Sequence, residues 1–144
     1  MKQKPQTAKK RYGGFSAEEK AAMANRVQEM KLGEKDLERE LLEKIGEMKE
    51  SDRATAMRIH EIIKRSAPEM ESRLWYGMPA YAKGGKTVCF FQPAAKFKTR
   101  YATLGFNDPA HLDDGDVWPV AYAITKLTPA GEAKVAALIK KAAS

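Results

Sequence analysis

One cysteine and two histidines in 144 residues leave this chain without the material for a disulfide framework or a histidine-rich metal cage. Its longest apolar stretches fall far short of the ~20 residues that a membrane-spanning helix needs. The basic start MKQKPQTAKKRYGG has no apolar run behind it, so a secretory signal is not expected, and the single thiol fits a reducing, cytoplasmic setting. Also missing are G-x-S-x-G, G-x-x-x-x-G-K-S/T, G-x-G-x-x-G and H-E-x-x-H, the readable marks of serine hydrolases, phosphate loops, dinucleotide sites and zinc peptidases. What remains is 43 % hydrophobic and 31 % charged, the composition of one ordinary globular domain rather than a disordered or fibrous chain.

The net charge of +7 suggests a nucleic-acid binder until it is divided along the chain. Residues 1–14 carry Lys2, Lys4, Lys9, Lys10 and Arg11 and no acid, whereas residues 15–50 are net acidic. Between Glu71 and Asp108 there is no carboxylate at all, while Arg73, Lys83, Lys86, Lys96, Lys98 and Arg100 all fall there. An acid-free segment of this kind favours an anionic partner.

Residues 1–14, polar and ending in Gly13-Gly14, read as a mobile arm. Ser16 and Glu19 form a capping box that starts a first helix, with Met23, Val27 and Met30 on one stripe and Gly33 as its C′ residue. A second helix from Lys35 to Lys49 places Leu37, Leu41, Ile45 and Met48 on one face. Ser51 is positioned to cap a third, Asp52 to about Ser66, which Pro68 ends. Beyond it the period becomes strand-like, with strands expected at Arg73–Tyr76, Ala80–Ala82, Thr87–Gln92, Phe97–Leu104 and Val117–Ile124 and a hairpin turn at Lys83-Gly84-Gly85-Lys86. Thr128-Pro129 opens a last helix as N-cap and N1. Helices segregated from strands predict an α+β fold in which helices pack on a curved antiparallel sheet of four or five strands, with an N-terminal helical extension.

Chemistry-bearing residues are few. Cys89, within Thr-Val-Cys-Phe-Phe, reads as a core thiol rather than a nucleophile, and His60 as a partly exposed helix residue. The Asp108–Asp116 loop offers His111, Asp113, Asp114 and Asp116 to a divalent cation. With Gly115 in the sixth EF-hand position, however, Ala110, Leu112 and Ala121 occupy the ligating first, third and twelfth positions, so a polar turn is the preferred interpretation. The distinctive segment is Leu74-Trp75-Tyr76-Gly77-Met78-Pro79-Ala80-Tyr81, where Gly77 and Pro79 break the regular path and Trp75, Tyr76, Met78 and Tyr81 are positioned to line a concave site. Strand alternation would put Lys98 and Arg100 together beside it; the competing interpretation is that these aromatics are simply core.

Ala67-Pro68-Glu69 closing a helix, the Trp75–Tyr81 string, a glycine turn, Val88-Cys89-Phe90-Phe91 and a closing strand and helix together resemble the YdhG-like family of domains of unknown function, over about residues 52–143. The resemblance implies a compact bacterial, cytosolic α+β domain spanning residues 51–144, preceded by the arm (1–14) and an extension (15–50) found in some members. One branch of that family is described as a frataxin-like intracellular iron chaperone, which makes iron the metal the resemblance implies. The helix acids Glu34, Asp36, Glu38, Glu40, Glu43 and Glu47 are interleaved here with Lys35, Arg39 and Lys44, a pattern of ordinary i,i+4 pairs. The expectation is a non-enzymatic cytoplasmic binding protein without a cofactor. Its site would comprise Trp75, Tyr76, Gly77, Met78, Pro79, Tyr81, Lys98 and Arg100 and take a small anionic ligand or a protein partner. Iron handling is one alternative and weak, sequence-blind nucleic-acid association through the arm is another; no membrane partner is expected.

Overall fold

A computed structural model describes residues 16–144, without the side chains of residues 23–32. The expected arm and the stripe Met23, Val27 and Met30 lie outside what is described. The chain divides into two compact units, Met1–Lys35 and Asp36–Ser144. Helix α1 (Ala17–Gly46) begins with the reciprocal capping box: Ser16 N–H donates to Glu19 Oε1 at 2.8 Å and Glu19 N–H to Ser16 Oγ at 3.1 Å. The two helices expected on either side of Gly33 are therefore one. Gly33 has no atom within 4 Å of where a Cβ would sit and no left-handed backbone. The residues after it, Glu34, Lys35, Leu37 and Glu38, are strong helix formers that carry the helix through one glycine at a cost of about 1 kcal/mol.

Helix α2 (Glu50–Ser66) starts two residues earlier than expected. Lys49, extended at φ −61° and ψ 154°, is its N-cap without a side-chain bond, so Ser51 lies inside the helix and not at its cap. The first-turn charges of Glu50 and Asp52 oppose the positive helix end instead. Five antiparallel strands follow in simple meander order: β1 (Glu71–Trp75), β2 (Met78–Lys83), β3 (Lys86–Gln92), β4 (Ala102–Phe106) and β5 (Ala121–Ile124), and the sheet is open. Between β3 and β4 the expected long strand Phe97–Leu104 is absent. Pro93 instead starts the single turn α3 (Ala94–Phe97), and strand geometry resumes only at Ala102. Helix α4 (Pro129–Ala143) opens as its sequence suggests, with Thr128 Oγ1 accepting from Gly131 N–H at 3.1 Å. The α+β class with a curved antiparallel sheet is thus what the chain adopts.

Register divides the sheet into two faces. Ser72 pairs with Tyr81, Tyr81 with Cys89, Cys89 with Phe106, and Phe91 with Leu104, so these residues share the inner face. There all of them but Ser72 join Leu41 and Ile45 of α1, Ile59, Ile62 and Ile63 of α2, and Val135 and Ile139 of α4 in one core. Leu41 and Ile45, both 0 % exposed, belong to this core although the sequence pattern assigns them to the extension. The outer face carries the row Arg73–Ala80–Phe90–Gly105–Ala121 across all five strands. Phe90 lies down over Gly105, where an added Cβ would stand 2.3 Å from Phe90 Cζ.

Gly105→Ala is therefore expected to lower the unfolding free energy by about 1–3 kcal/mol, the range for overfilling a packed site. Gly33→Ala should raise it by roughly 1 kcal/mol. Denaturant unfolding of both variants checks the pair, and a destabilising Gly33→Ala would contradict the continuous helix.

Candidate lysine groove at the hairpin tip

The Trp75–Tyr81 string folds as a tight hairpin. Trp75 pairs with Met78 across a two-residue turn in which Tyr76 (φ 51°) and Gly77 (φ 76°) are both left-handed. Proline has no N–H to give a ladder, and toward this tip the pairing of β2 with β3 stops at Ala80 and Phe90, one residue past Pro79. The hairpin tip and the chain leaving β3 are thus left unjoined. A groove of about 300 Å³ opens there, lined by Lys44, Lys49 and Lys96, with Gly77, Met48 and Pro93 among its walls.

Its electrostatics are unequal. Of its two carboxylates, Glu47 sits 3.7 Å from Lys44. Asp52 is 6 % exposed and fully engaged: its two oxygens accept from the backbone N–H groups of Ala94 (3.1 Å) and Ala95 (2.9 Å), capping α3 from α2. Among the described residues no carboxylate lies within salt-bridge distance of Lys49 or Lys96. A Cβ on Gly77 would come within 3.1 Å of Lys96 Nζ, so the missing side chain lets that ammonium lie against the turn. Two other depressions flank α4, and both include the fork in which Arg58 holds Glu132 at 2.9 and 2.8 Å, its charge already matched.

The residues singled out from the sequence are dispersed. Gly77 lines the groove, and Met78 and Pro79 are buried behind it. Tyr76 stands 81 % exposed, and Trp75 lies on the outer face against Phe90. Tyr81 is 1 % exposed on the inner face. Lys98 and Arg100 do not share a strand face, because the strand that would have aligned them is absent; Lys98 is the left-handed residue ending α3, and Arg100 lies over the Tyr101 ring. Lys44, Lys49, Asp52 and Lys96 were not singled out, and the available signal was Pro93, whose missing N–H ends β3 and frees Lys96 from strand geometry.

His60 is a second correction, being 5 % exposed rather than partly open. It stands between Tyr81 OH, 2.9 Å from Nδ1, and Glu38 Oε2, 3.0 Å from Nε2, while Lys64 reaches the same carboxylate at 3.4 Å. A carboxylate only accepts, so Nε2–H donates to Glu38 and bare Nδ1 accepts from the tyrosine. Burial lowers the His60 pKa despite Glu38. Burial also works against the Glu38 charge, but the His60 hydrogen bond and Lys64 outweigh it and hold that carboxyl below its ordinary value. Burial raises Tyr81 well above 10 and pushes the Cys89 thiol up to about 12, which leaves neither ready as a nucleophile.

In the Asp108–Asp116 loop Ala110 and Leu112 point inward, while His111, Asp113, Asp114 and Asp116 are exposed; His111 Nδ1–H donates to the Ser144 carbonyl. Among the described residues no group of three or more His, Cys, Asp or Glu side chains converges to hold a metal, and no helix is long and apolar enough to cross a membrane. No family model, curated protein or solved structure matches this chain.

The buried triad has a pH signature. His60 titrates below 6.5 when folded and near 6.5 when unfolded, so the unfolded chain takes up more protons as pH falls and stability is lost through 6.5. Glu38 acts in the same direction at lower pH, its share being lost as pH falls below 4.5. Urea unfolding between pH 7.5 and 4 should show this decline, and His60→Gln should flatten its upper part. At pH 7 Tyr81→Phe should cost about 1–3 kcal/mol, because it leaves Nδ1 buried and unpartnered.

Proposed function

We propose that this chain is a non-enzymatic binding protein, related to the YdhG-like family, whose site for a small anionic ligand is the groove beneath the Tyr76-Gly77 turn. The observation that carries this is the convergence of Lys44, Lys49 and Lys96 on one cavity in which the buried acid, Asp52, is consumed by two backbone N–H groups. Lys49 and Lys96 have no carboxylate partner among the described residues, and beside a low-dielectric wall such ammonium groups hold an anion more strongly than in open water. Tyr81 and Cys89, both buried and both with raised pKa values, support binding over catalysis. The iron alternative lacks a converging ligand set among the described residues.

A thermal-shift screen of phosphate, sulfate, di- and tricarboxylates and nucleotides tests this, since a ligand of the folded state raises the melting temperature by mass action. At least one anion should stabilise the parent chain. Lys49→Gln and Lys96→Gln should each weaken it roughly tenfold, the scale of one charge-assisted hydrogen bond, while changing stability by no more than about 0.5 kcal/mol. Equal shifts in the parent and both variants would remove the groove as the site.

A further inference from the structure

The outer sheet face has a different chemistry. None of Trp75, Met78, Ala80 or Phe90 belongs to the core that the helices share with the inner face. The ring centroid of Tyr76 lies 4.7 Å from that of Trp75, and Trp75 lies 5.1 Å from Phe90, which in turn covers Gly105. Three rings in contact thus run across the face from the hairpin tip, and beyond Gly105 the surface continues over the small, exposed Ala121 and Ala123. Ala80, in the outer row between Arg73 and Phe90, is 0 % exposed. Tyr76, the most exposed ring, occupies a left-handed position where glycine or asparagine would be less strained, so the turn gives up local stability to hold an aromatic ring outward.

Charge on this face is positive toward the hairpin tip, its one strand carboxylate standing at the opposite end. Strands β2 to β5 contain no acidic residue, and the one acid of β1, Glu71, is its first residue, opposite Ala82 at the end away from Trp75. Arg73 lies in the outer row next to Ala80, with one guanidinium nitrogen donating to Gly85 O at 2.7 Å. Lys98 and Arg100 lead into β4 at the end where Gln92 pairs with Thr103, the same end as the hairpin tip. An aromatic patch with Tyr76 exposed at the hairpin tip and Trp75 and Phe90 half-buried beside it, bordered by cations and with its one strand carboxylate at the far end, matches the stacked bases and phosphates of a single strand.

We propose that the outer face of this sheet binds single-stranded nucleic acid without sequence preference, bases stacking on Tyr76, Trp75 and Phe90 while Arg73, Lys98 and Arg100 meet phosphates. This surface is distinct from the lysine groove, and none of its named residues belongs to the basic segment 1–14.

The experiment uses the full chain carrying Trp118→Phe, so that Trp75 is the one tryptophan, titrated with short oligo-U and oligo-dT at low and at physiological salt. Binding should quench Trp75 emission and weaken as salt rises. Tyr76→Ala, an exposed position, should weaken binding about tenfold, the scale of one lost base stack, and Tyr76→Asn should bind as poorly while unfolding at higher denaturant. A variant with Lys2, Lys4, Lys9, Lys10 and Arg11 changed to Gln should keep the quenching. Unchanged Trp75 emission on binding, a Tyr76→Ala affinity equal to the parent's, or equal quenching by poly-glutamate would each overturn the proposal, the last by showing that an acidic polypeptide serves as well. Loss of quenching in the arm variant would also overturn it and assign the contact to the arm.

Discussion

The layer between α2 and the inner sheet face governs the rest of the structure. Ile59 and Ile63, both fully buried, meet a face built from Tyr81, Cys89, Phe91 and Leu104, and the area those side chains remove from water is the main favourable term available to a domain of this size. Because α1 and α4 join the same side, the helices leave the second face of the sheet to satisfy itself. It does so with its own rings, Phe90 lying over Gly105 and Trp75 against Phe90. A meander with helices on one side thus yields two surfaces of different chemistry, one sealed under the helices and one lined by half-buried aromatic rings.

Polar side chains within that layer are few, and among the described residues Ser72 Oγ is the buried one left without a hydrogen-bond partner. His60 would be costly in such a place alone, but Tyr81 and Glu38 occupy both ring nitrogens and tie α1, α2 and β2 together in one hydrogen-bonded chain. Asp52 performs a similar service at the lower edge, where α3 has no capping side chain of its own at Pro93. That second contact sets the character of the groove, since it withdraws a carboxylate from a cavity otherwise dominated by lysines.

Most local signals in the sequence were faithful; the cap expected at Ser51 was not, because the helix begins at Glu50. The Ser16–Glu19 box, the Gly84-Gly85 hairpin, the Thr128-Pro129 start and the strand at Thr87–Gln92 all took the expected form, as did the α+β class. Gly33 misled because a glycine ends a helix only when the residues after it cannot continue one. The Phe97–Leu104 stretch misled because alternating Phe97, Thr99 and Tyr101 mimic a strand, while the cap that makes residues 94–97 helical comes from Asp52, 42 residues upstream of Ala94. Of the candidate site, Gly77 and the break at Pro79 were legible. Lys44, Lys49 and Lys96 were not, since nothing short of the folded chain brings residue 44 to residue 96.

Amide chemical-shift mapping with a small anion tests the central claim most directly. On titration with phosphate and with a tricarboxylate such as citrate, the lysine groove predicts that the largest saturable shifts fall on Lys49, Gly77, Ala95 and Lys96, with the Asp108–Asp116 loop and α4 unmoved. Shifts confined to α4, to that loop or to the basic arm, with Gly77 and Lys96 unchanged, would contradict it.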